Sequence, residues 1–417
     1  MISASQCIKC KGRLFCGLAS CPILDRFHST RKLSKAIGTG FQGTNPNSLF
    51  ISWHNYPNVS IAPLTASEHL SEGLARKIDN EAEWFGLPME SILDFRQSLI
   101  RSTQKINVLQ ASNPSSSLQA IQEIVLARKP VDLEVELKSK PTAALEFDSH
   151  FTPMGPKAEQ KSISLNENPS IDSKLESLSS DIDVKATTAL HELFDYGFDS
   201  GRLIKVFSAG LLGVKKDRKL VPTRYSITAV DDSLSKHLLE GIRHYPDLSG
   251  IECFKSSYQG NSFAIILVPG SWSFEMLECW IPGSAWYPES NPEKINVIQD
   301  NEFFDGRKNY AASITGAYYS ARLAVCEYLE KRKRQAKALV FREISQDYKL
   351  PLAVWIIRET ARNAMNSKPL VFESIRPALR HAFSCLSIPE KSWRKESKLI
   401  DFLEKQKTLS SFTSRTS

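Results

Sequence analysis

Between Tyr258 and Trp286 the chain reads Tyr258-Gln-Gly-Asn-Ser-Phe-Ala-Ile-Ile-Leu-Val-Pro-Gly-Ser-Trp-Ser-Phe-Glu275, then Leu277-Glu-Cys-Trp-Ile-Pro-Gly-Ser-Ala-Trp286. Short β-branched and aromatic runs broken by Gly and Pro favour strands joined by tight turns over long helices. Residues 251–258 and 262–268 therefore predict a hairpin about Gln259-Gly-Asn261. The alternation of Phe274, Met276, Glu278 and Trp280 predicts a further strand. Upstream, Leu220-Val-Pro-Thr-Arg-Tyr-Ser-Ile-Thr-Ala-Val-Asp-Asp232 sets a proline, an Arg-Tyr pair and twin aspartates around the β-prone run Tyr225–Val230. That run is expected as a strand ending at Asp231-Asp232, where one aspartate can cap the helix after it and the other is left over. Arg224, Asp231, Asp232 and Glu275 are the polar candidates for a shared catalytic or ligand site. On a strand Glu275 and Glu278 face opposite ways, which argues against a paired-carboxylate metal centre there.

Four of the eight cysteines fall at Cys7, Cys10, Cys16 and Cys21, a Cys-x2-Cys-x5-Cys-x4-Cys spacing. Four thiolates so close together can surround one soft cation, and so short a basic segment has little else to fold around. Structural zinc is the expected occupant, with an iron–sulfur cluster as the alternative. Cys253, Cys279, Cys326 and Cys385 sit in apolar contexts and are expected to pack in the core. The net charge of +7 is concentrated at the ends, with +6 over residues 1–35 and +4 over residues 391–417. Basic ends suit contact with a polyanion, nucleic acid foremost. No apolar run approaches the roughly 20 residues of a membrane helix and the N-terminus has no apolar segment, so a cytoplasmic protein without a membrane partner is expected.

The first half predicts helices over Ser67–Phe85, Pro88–Leu109 and Ser115–Arg128, and a one-side-wet strand over Val131–Lys138, whose acids Asp132, Glu134 and Glu136 form a solvated row. Gly38, Gly40 and Gly43 lack the lysine of a phosphate loop and read as a flexible loop. Residues 153–185 hold few large apolar side chains and read as an extended polar linker. Helices follow over Ala186–Gly197, Ser200–Leu212 and Tyr310 to about Arg334, the last ending in Lys331-Arg-Lys-Arg334. These basic residues suit either the helix C-terminus or a phosphate backbone. Together they give an α+β protein, mixed helices with antiparallel-type strands and an N-terminal zinc knuckle. Its parts are expected as a four-cysteine zinc-binding segment (1–35), an N-terminal α+β part (36–152), the linker (153–185), a C-terminal α+β core (186–390) and a basic tail (391–417).

The motifs Leu220–Asp232 and Pro269-Gly-Ser-Trp-Ser-Phe-Glu275 resemble signatures of the Nre family of archaeal DNA-repair proteins, and the likeness runs over almost the whole chain. The tail Gln406-Lys-Thr-Leu409-Ser-Ser-Phe412-Thr413 fits the sliding-clamp-interacting box, Gln-x-x-aliphatic-x-x-aromatic-aromatic, with Thr413 in place of the second aromatic. A short 3₁₀ turn would bring Leu409 and Phe412 onto one side to fill an apolar pocket, with Gln406 hydrogen-bonding beside them. The resemblance implies such a box, a Cys cluster and a role in DNA repair at the replication clamp (PCNA). A metal-dependent enzyme acting on DNA or nucleotide through Arg224, Asp231, Asp232 and Glu275 is the competing expectation.

Overall fold

The computed structural model describes residue 14 and residues 37–143, 154–282, 284, 294–348 and 352–405. Cys7, Cys10, Cys16, Cys21 and the box Gln406, Leu409, Phe412 and Thr413 lie outside the described residues. The described residues form two compact units, one of residues 14–234 and 352–355, the other of residues 235–348 and 356–405. Both combine a mixed sheet with helices, an α+β architecture as expected, and no described helix is long and apolar enough to cross a membrane.

In chain order the first unit contains β1 (Gly40–Asn45), β2 (Leu49–Ile51), β3 (Asn58–Ala66), α1 (Glu72–Asp79), α2 (Met89–Gln97), β4 (Leu99–Asn107), α3 (Ser116–Leu126), β5 (Val131–Leu137), β6 (Lys157–Leu165), α4 (Ser173–Ser180), α5 (Ala186–Tyr196) and α6 (Ser200–Ser208). A long helix, α7 (Thr223–Ile242), begins in it. Its sheet runs β1-β5-β6-β4-β3-β2, antiparallel except for the parallel β4–β6 pair. On β5, Val131, Leu133, Val135 and Leu137 enter the core with Ile124 of α3. Glu136 of its wet face meets Lys161 at 3.1 Å, so the acidic row is a solvated one, as its alternation implied. Ser115 caps α3 by accepting from the amide of Leu118. Several expectations change: Gly40 and Gly43, read as a flexible loop, lie in β1 and pair with β5. The helix over Pro88–Leu109 stops at Gln97, because Leu99–Asn107 pairs with β3 along most of its length and with β6 on its other edge. Residues 153–185 carry β6 and α4, and β6 lies inside the sheet. A strand bonded on both edges needs few apolar side chains of its own, so its polarity concealed it.

The second unit contains β7 (Ile251–Tyr258), β8 (Asn261–Val268), β9 (Ser273–Trp280), β10 (Val297–Glu302), α8 (Gly316–Arg332), β11 (Lys337–Ile344), α9 (Trp355–Asn366), whose first residue falls to the other unit, β12 (Leu370–Phe372), α10 (Ile375–Ser384), α11 (Glu390–Glu396) and α12 (Lys398–Lys405). The sheet order is β10-β9-β11-β8-β7-β12, with β9 and β11 paired in parallel. The β7–β8 hairpin turns through Gln259 and Gly260 at φ 47° and 75°, the two positive values a tight primed turn requires. Strand β11 is buried along its whole length. Its Leu339 and Phe341 pack with Leu379 and Phe383 of α10 and Trp393 of α11. The helix expected from Tyr310 starts later, at Gly316, because Thr315 sits at φ 62° and the amides of Ser313 and Ile314 turn aside to the Asp300 carboxylate.

Trp393 is fully buried, donates its indole N–H to the Ile388 carbonyl at 3.2 Å and meets the Phe341 ring edge-on at 5.8 Å. Trp393→Ala should therefore cost about 3–5 kcal/mol in urea-induced unfolding. A loss below roughly 1 kcal/mol, the range of ordinary surface changes, would show that this cluster does not hold the sheet and its helices together.

Candidate functional site

The run Tyr225–Val230 is helical where a strand was expected. Pro222 cannot continue the preceding hydrogen-bonding pattern, and its carbonyl accepts the amides of Tyr225 at 2.8 Å and Ser226 at 3.0 Å, which starts α7. The β-branched residues Ile227, Thr228 and Val230 carry only a weak intrinsic preference for strands, and burial overrides it. Ser226, Val230 and Leu234 recur every four residues and are all fully buried, a helical stripe. Ser226 donates its hydroxyl to the Ile204 carbonyl of α6 at 2.7 Å, and Thr223 Oγ1 accepts the Ile51 amide of β2 at 2.9 Å. These contacts fix where the first turn lies and hence where Arg224 points. Asp231 and Asp232 consequently stand inside a helix and are not helix caps; Asp231 is fully buried and Asp232 half-buried.

The start of α7 borders a cavity of about 80 Å³. Thr223, Arg224 and Ile227 supply one wall, and Phe50 of β2 lies beside them. Glu81 and Trp84 come from a 3₁₀ turn, Glu81–Trp84, whose start Asn80 caps, and Arg96 comes from α2. Ala353 and Trp355 complete the lining. Trp84 meets Trp355 edge to face at 5.2 Å and is pinned by its indole N–H to the Lys77 carbonyl at 2.8 Å. Each arginine lies over an indole: Arg96 is 5.9 Å from the Trp84 ring and Arg224 is 5.7 Å from that of Trp53. Burial holds the Arg96 guanidinium below the ordinary arginine value; the carboxylates of Glu81 and Asp79 oppose that and Arg101 adds to it. A guanidinium stays charged through such a shift. The cavity thus places two cations and one carboxylate among aromatic rings.

Glu275, the fourth sequence candidate, belongs to the other compact unit. It is fully buried on β9, where its carboxylate accepts the Ser397 hydroxyl and the amides of Lys398 at 2.8 Å and Leu399 at 3.1 Å. Both oxygens are therefore engaged in starting α12. Glu278 pairs with Arg342 at 2.5 Å and takes the Trp280 indole N–H, apart from Glu275 as the strand spacing implied. Among the described residues no three His, Cys, Asp or Glu side chains gather as a metal site. His191 lies between helices, its Nε2 3.0 Å from the Ser233 hydroxyl. The basic end of α8 is partly satisfied internally, Arg332 by Glu252 and Lys333 by Glu330 and the Tyr245 hydroxyl. Burial pushes the thiols of Cys253 and Cys279 up to about 12 and that of Cys326 upward too, the inert behaviour expected of core cysteines. Of the cavity, sequence reasoning found Arg224 alone; Arg96, Trp84 and Trp355 lie on separate segments without a shared local motif.

Two family profiles match the chain, and their boundary falls inside the second unit, after β9. The profile described as Archaeal Nre, N-terminal, matches residues 15–287, and that described as Archaeal Nre, C-terminal, matches residues 302–412. The DNA repair protein NreA of Archaeoglobus fulgidus is 36% identical over 389 residues, 93% of this chain and 95% of the relative. NreB of the same organism is 34% identical over 395 residues, covering 95% and 97% of the two chains. NreA of Haloferax volcanii is 35% identical over 386 residues, 91% of this chain and 90% of its own. No solved structure matches. The chain belongs to the Nre family.

Burial raises the Glu275 carboxyl above the ordinary glutamate value of 4.5, although the Ser397 hydroxyl and the amides of Lys398 and Leu399 pull it the other way. Its folded value thus exceeds its unfolded one, so the native state binds this proton more tightly. Stability from this group is fully present below pH 4.5, falls as pH rises to the raised folded value and is level above it. Glu275→Gln should remove that falling component from the pH dependence of unfolding and should also loosen α12, since an amide oxygen cannot accept all three donors. Identical pH slopes in the two proteins would show that the carboxylate is not held as described.

Proposed function

We propose that this chain is a DNA-repair factor that docks on the replication sliding clamp (PCNA) through its C-terminal tail and contacts DNA with its basic ends. The observation that carries the reading is the pairing of near-complete likeness to relatives named DNA repair proteins with the box Gln406, Leu409, Phe412 and Thr413. The fold supports the tail as the docking element. Glu275 ties the first turn of α12 to the sheet, and that helix ends at Lys405, so the box begins one residue beyond an anchored helix. Charges of +6 and +4 at the two ends of the chain supply a sequence-independent attraction to phosphates.

The donor set of Cys7, Cys10, Cys16 and Cys21 fits zinc: four thiolates complete a tetrahedral shell and leave no open position, so the metal would hold that segment's fold and perform no chemistry of its own. Because burial leaves Cys253, Cys279 and Cys326 poorly reactive, thiol modification of the native protein should fall first on the N-terminal four. It should release about one equivalent of zinc per chain from a colourless protein. A brown protein with broad visible absorption would instead identify an iron–sulfur cluster.

For the clamp, deletion of residues 406–417 should abolish binding without altering the unfolding midpoint, since a terminal segment beyond α12 adds little to either core. Phe412→Ala should lose about 2 kcal/mol, on the order of thirtyfold in affinity. Thr413→Phe should tighten binding by restoring the second aromatic plug. Titration of the clamp against all four proteins at one salt concentration checks this, and equal affinity throughout would eliminate the tail as the docking element.

A further inference from the structure

We propose that the cavity at the start of α7 is a phosphate-binding pocket in which Arg96 and Arg224 grip one phosphate group of a ligand whose remainder lies outside. The first support is a surplus of donors. Each guanidinium carries five N–H donors, yet neither makes a hydrogen bond or ion pair among the described residues; their recorded partners are the Trp84 and Trp53 rings. The indole N–H of Trp53, beneath Arg224, is buried and also lacks an acceptor among the described residues. Both arginines are half-buried with their donors unused, and an oxyanion in the cavity would supply acceptors in the planar geometry a guanidinium matches.

Further observations point to the same ligand. The wall between the two arginines includes the first turn of α7, a helix of 20 residues, whose aligned peptide dipoles favour negative charge at that end. Two guanidinium charges against the single carboxylate of Glu81 leave the lining with one net positive charge, which suits a phosphate monoanion or diester. Size selects a group over a whole molecule. At about 80 Å³ the space exceeds that of one water yet falls well short of the roughly 300–1,000 Å³ that encloses a drug-sized ligand. Phe50, Trp84 and Trp355 then offer apolar faces to whatever carries the phosphate. Ala353, also in the lining, is held at φ 63°, a left-handed conformation that a non-glycine residue adopts at an energetic cost and that is enriched at ligand sites.

The shared chemistry is the phosphate group, and its sources are separated by the probe. Calorimetric titration of the full-length protein would use inorganic phosphate, a nucleoside 5′-monophosphate, and one single-stranded oligonucleotide with and without a 5′-phosphate. The wild type should bind at least one phosphate-bearing probe. Arg96→Gln and Arg224→Gln should each weaken that binding tenfold or more, Arg224→Lys should restore part of it, and Lys161→Gln, an exposed residue on β6, should leave it unchanged. A preference for the phosphorylated over the plain oligonucleotide that vanishes in Arg224→Gln would identify a nucleic-acid end as the source. Tighter binding of the monophosphate than of the oligonucleotide would identify a free nucleotide, and equal binding of inorganic phosphate would identify the ion itself. Circular dichroism establishes that each variant is folded, and Arg224→Lys provides the reading should a glutamine variant fail to fold. Absence of binding of every phosphate probe to the wild type, or unchanged affinity in folded Arg96→Gln and Arg224→Gln proteins, would overturn the assignment. Clamp affinity is measured separately through the tail, so loss of one does not imply loss of the other.

Discussion

Buried carboxylates that accept backbone amides are the interaction on which the C-terminal unit depends. Glu275 on β9 receives the amides that open α12. Glu343 on β11 takes those of Ser387 and Ile388, just before α11. Asp300 on β10 receives those of Ser313 and Ile314 ahead of α8, and Glu302 on the same strand takes the Trp272 indole and the Arg322 guanidinium. Each acid is nearly or wholly inaccessible to water. Withdrawal from solvent is costly for a carboxylate, and an unpaired buried amide is costly as well; each removes the other's penalty. The apolar cluster of Leu339, Phe341, Phe383 and Trp393 supplies most of the driving force, but it is non-directional. Directed bonds from strand acids to helix starts decide which helix sits where.

In the N-terminal unit the corresponding decision is made at Pro222. Its carbonyl starts α7, the Ser226 hydroxyl ties the helix to α6, and Thr223 ties it to β2. Arg224 is thereby brought to the cavity that Arg96 enters from α2. The motif Leu220–Asp232 therefore has a structural task and a positional one. It stops the chain, turns it into a helix and places one cation, and neither aspartate at its end acts as a cap.

Elements whose pattern follows from local geometry were legible in the sequence. Strict alternation marked β5, and a Gln-Gly-Asn turn marked the β7–β8 hairpin. Elements decided by tertiary contacts were not. The run Tyr225–Val230 is β-prone residue by residue and becomes helical because Ser226, Val230 and Leu234 share a buried stripe. Strand β6 looked like a linker because hydrogen bonds on both edges hold it, not apolar side chains. Glu275 looked functional because its role, starting a helix more than a hundred residues later, leaves no local trace. The cavity escaped for the same reason: Phe50, Trp84, Arg96, Arg224 and Trp355 are gathered from distant segments.

On the proposed reading, the two folded units and a clamp-docking tail have separate tasks. Glu275 anchors the first turn of α12 to the sheet, and each sheet is formed by strands of the chain itself. Hydrogen–deuterium exchange on the full chain, with and without the sliding clamp, tests that division most directly, because it reports every segment in one experiment. Protection gained on clamp binding should be confined to peptides covering residues 406–417, with exchange in β1–β12 unchanged. Protection appearing across the strands while the tail peptides exchange as before would contradict it.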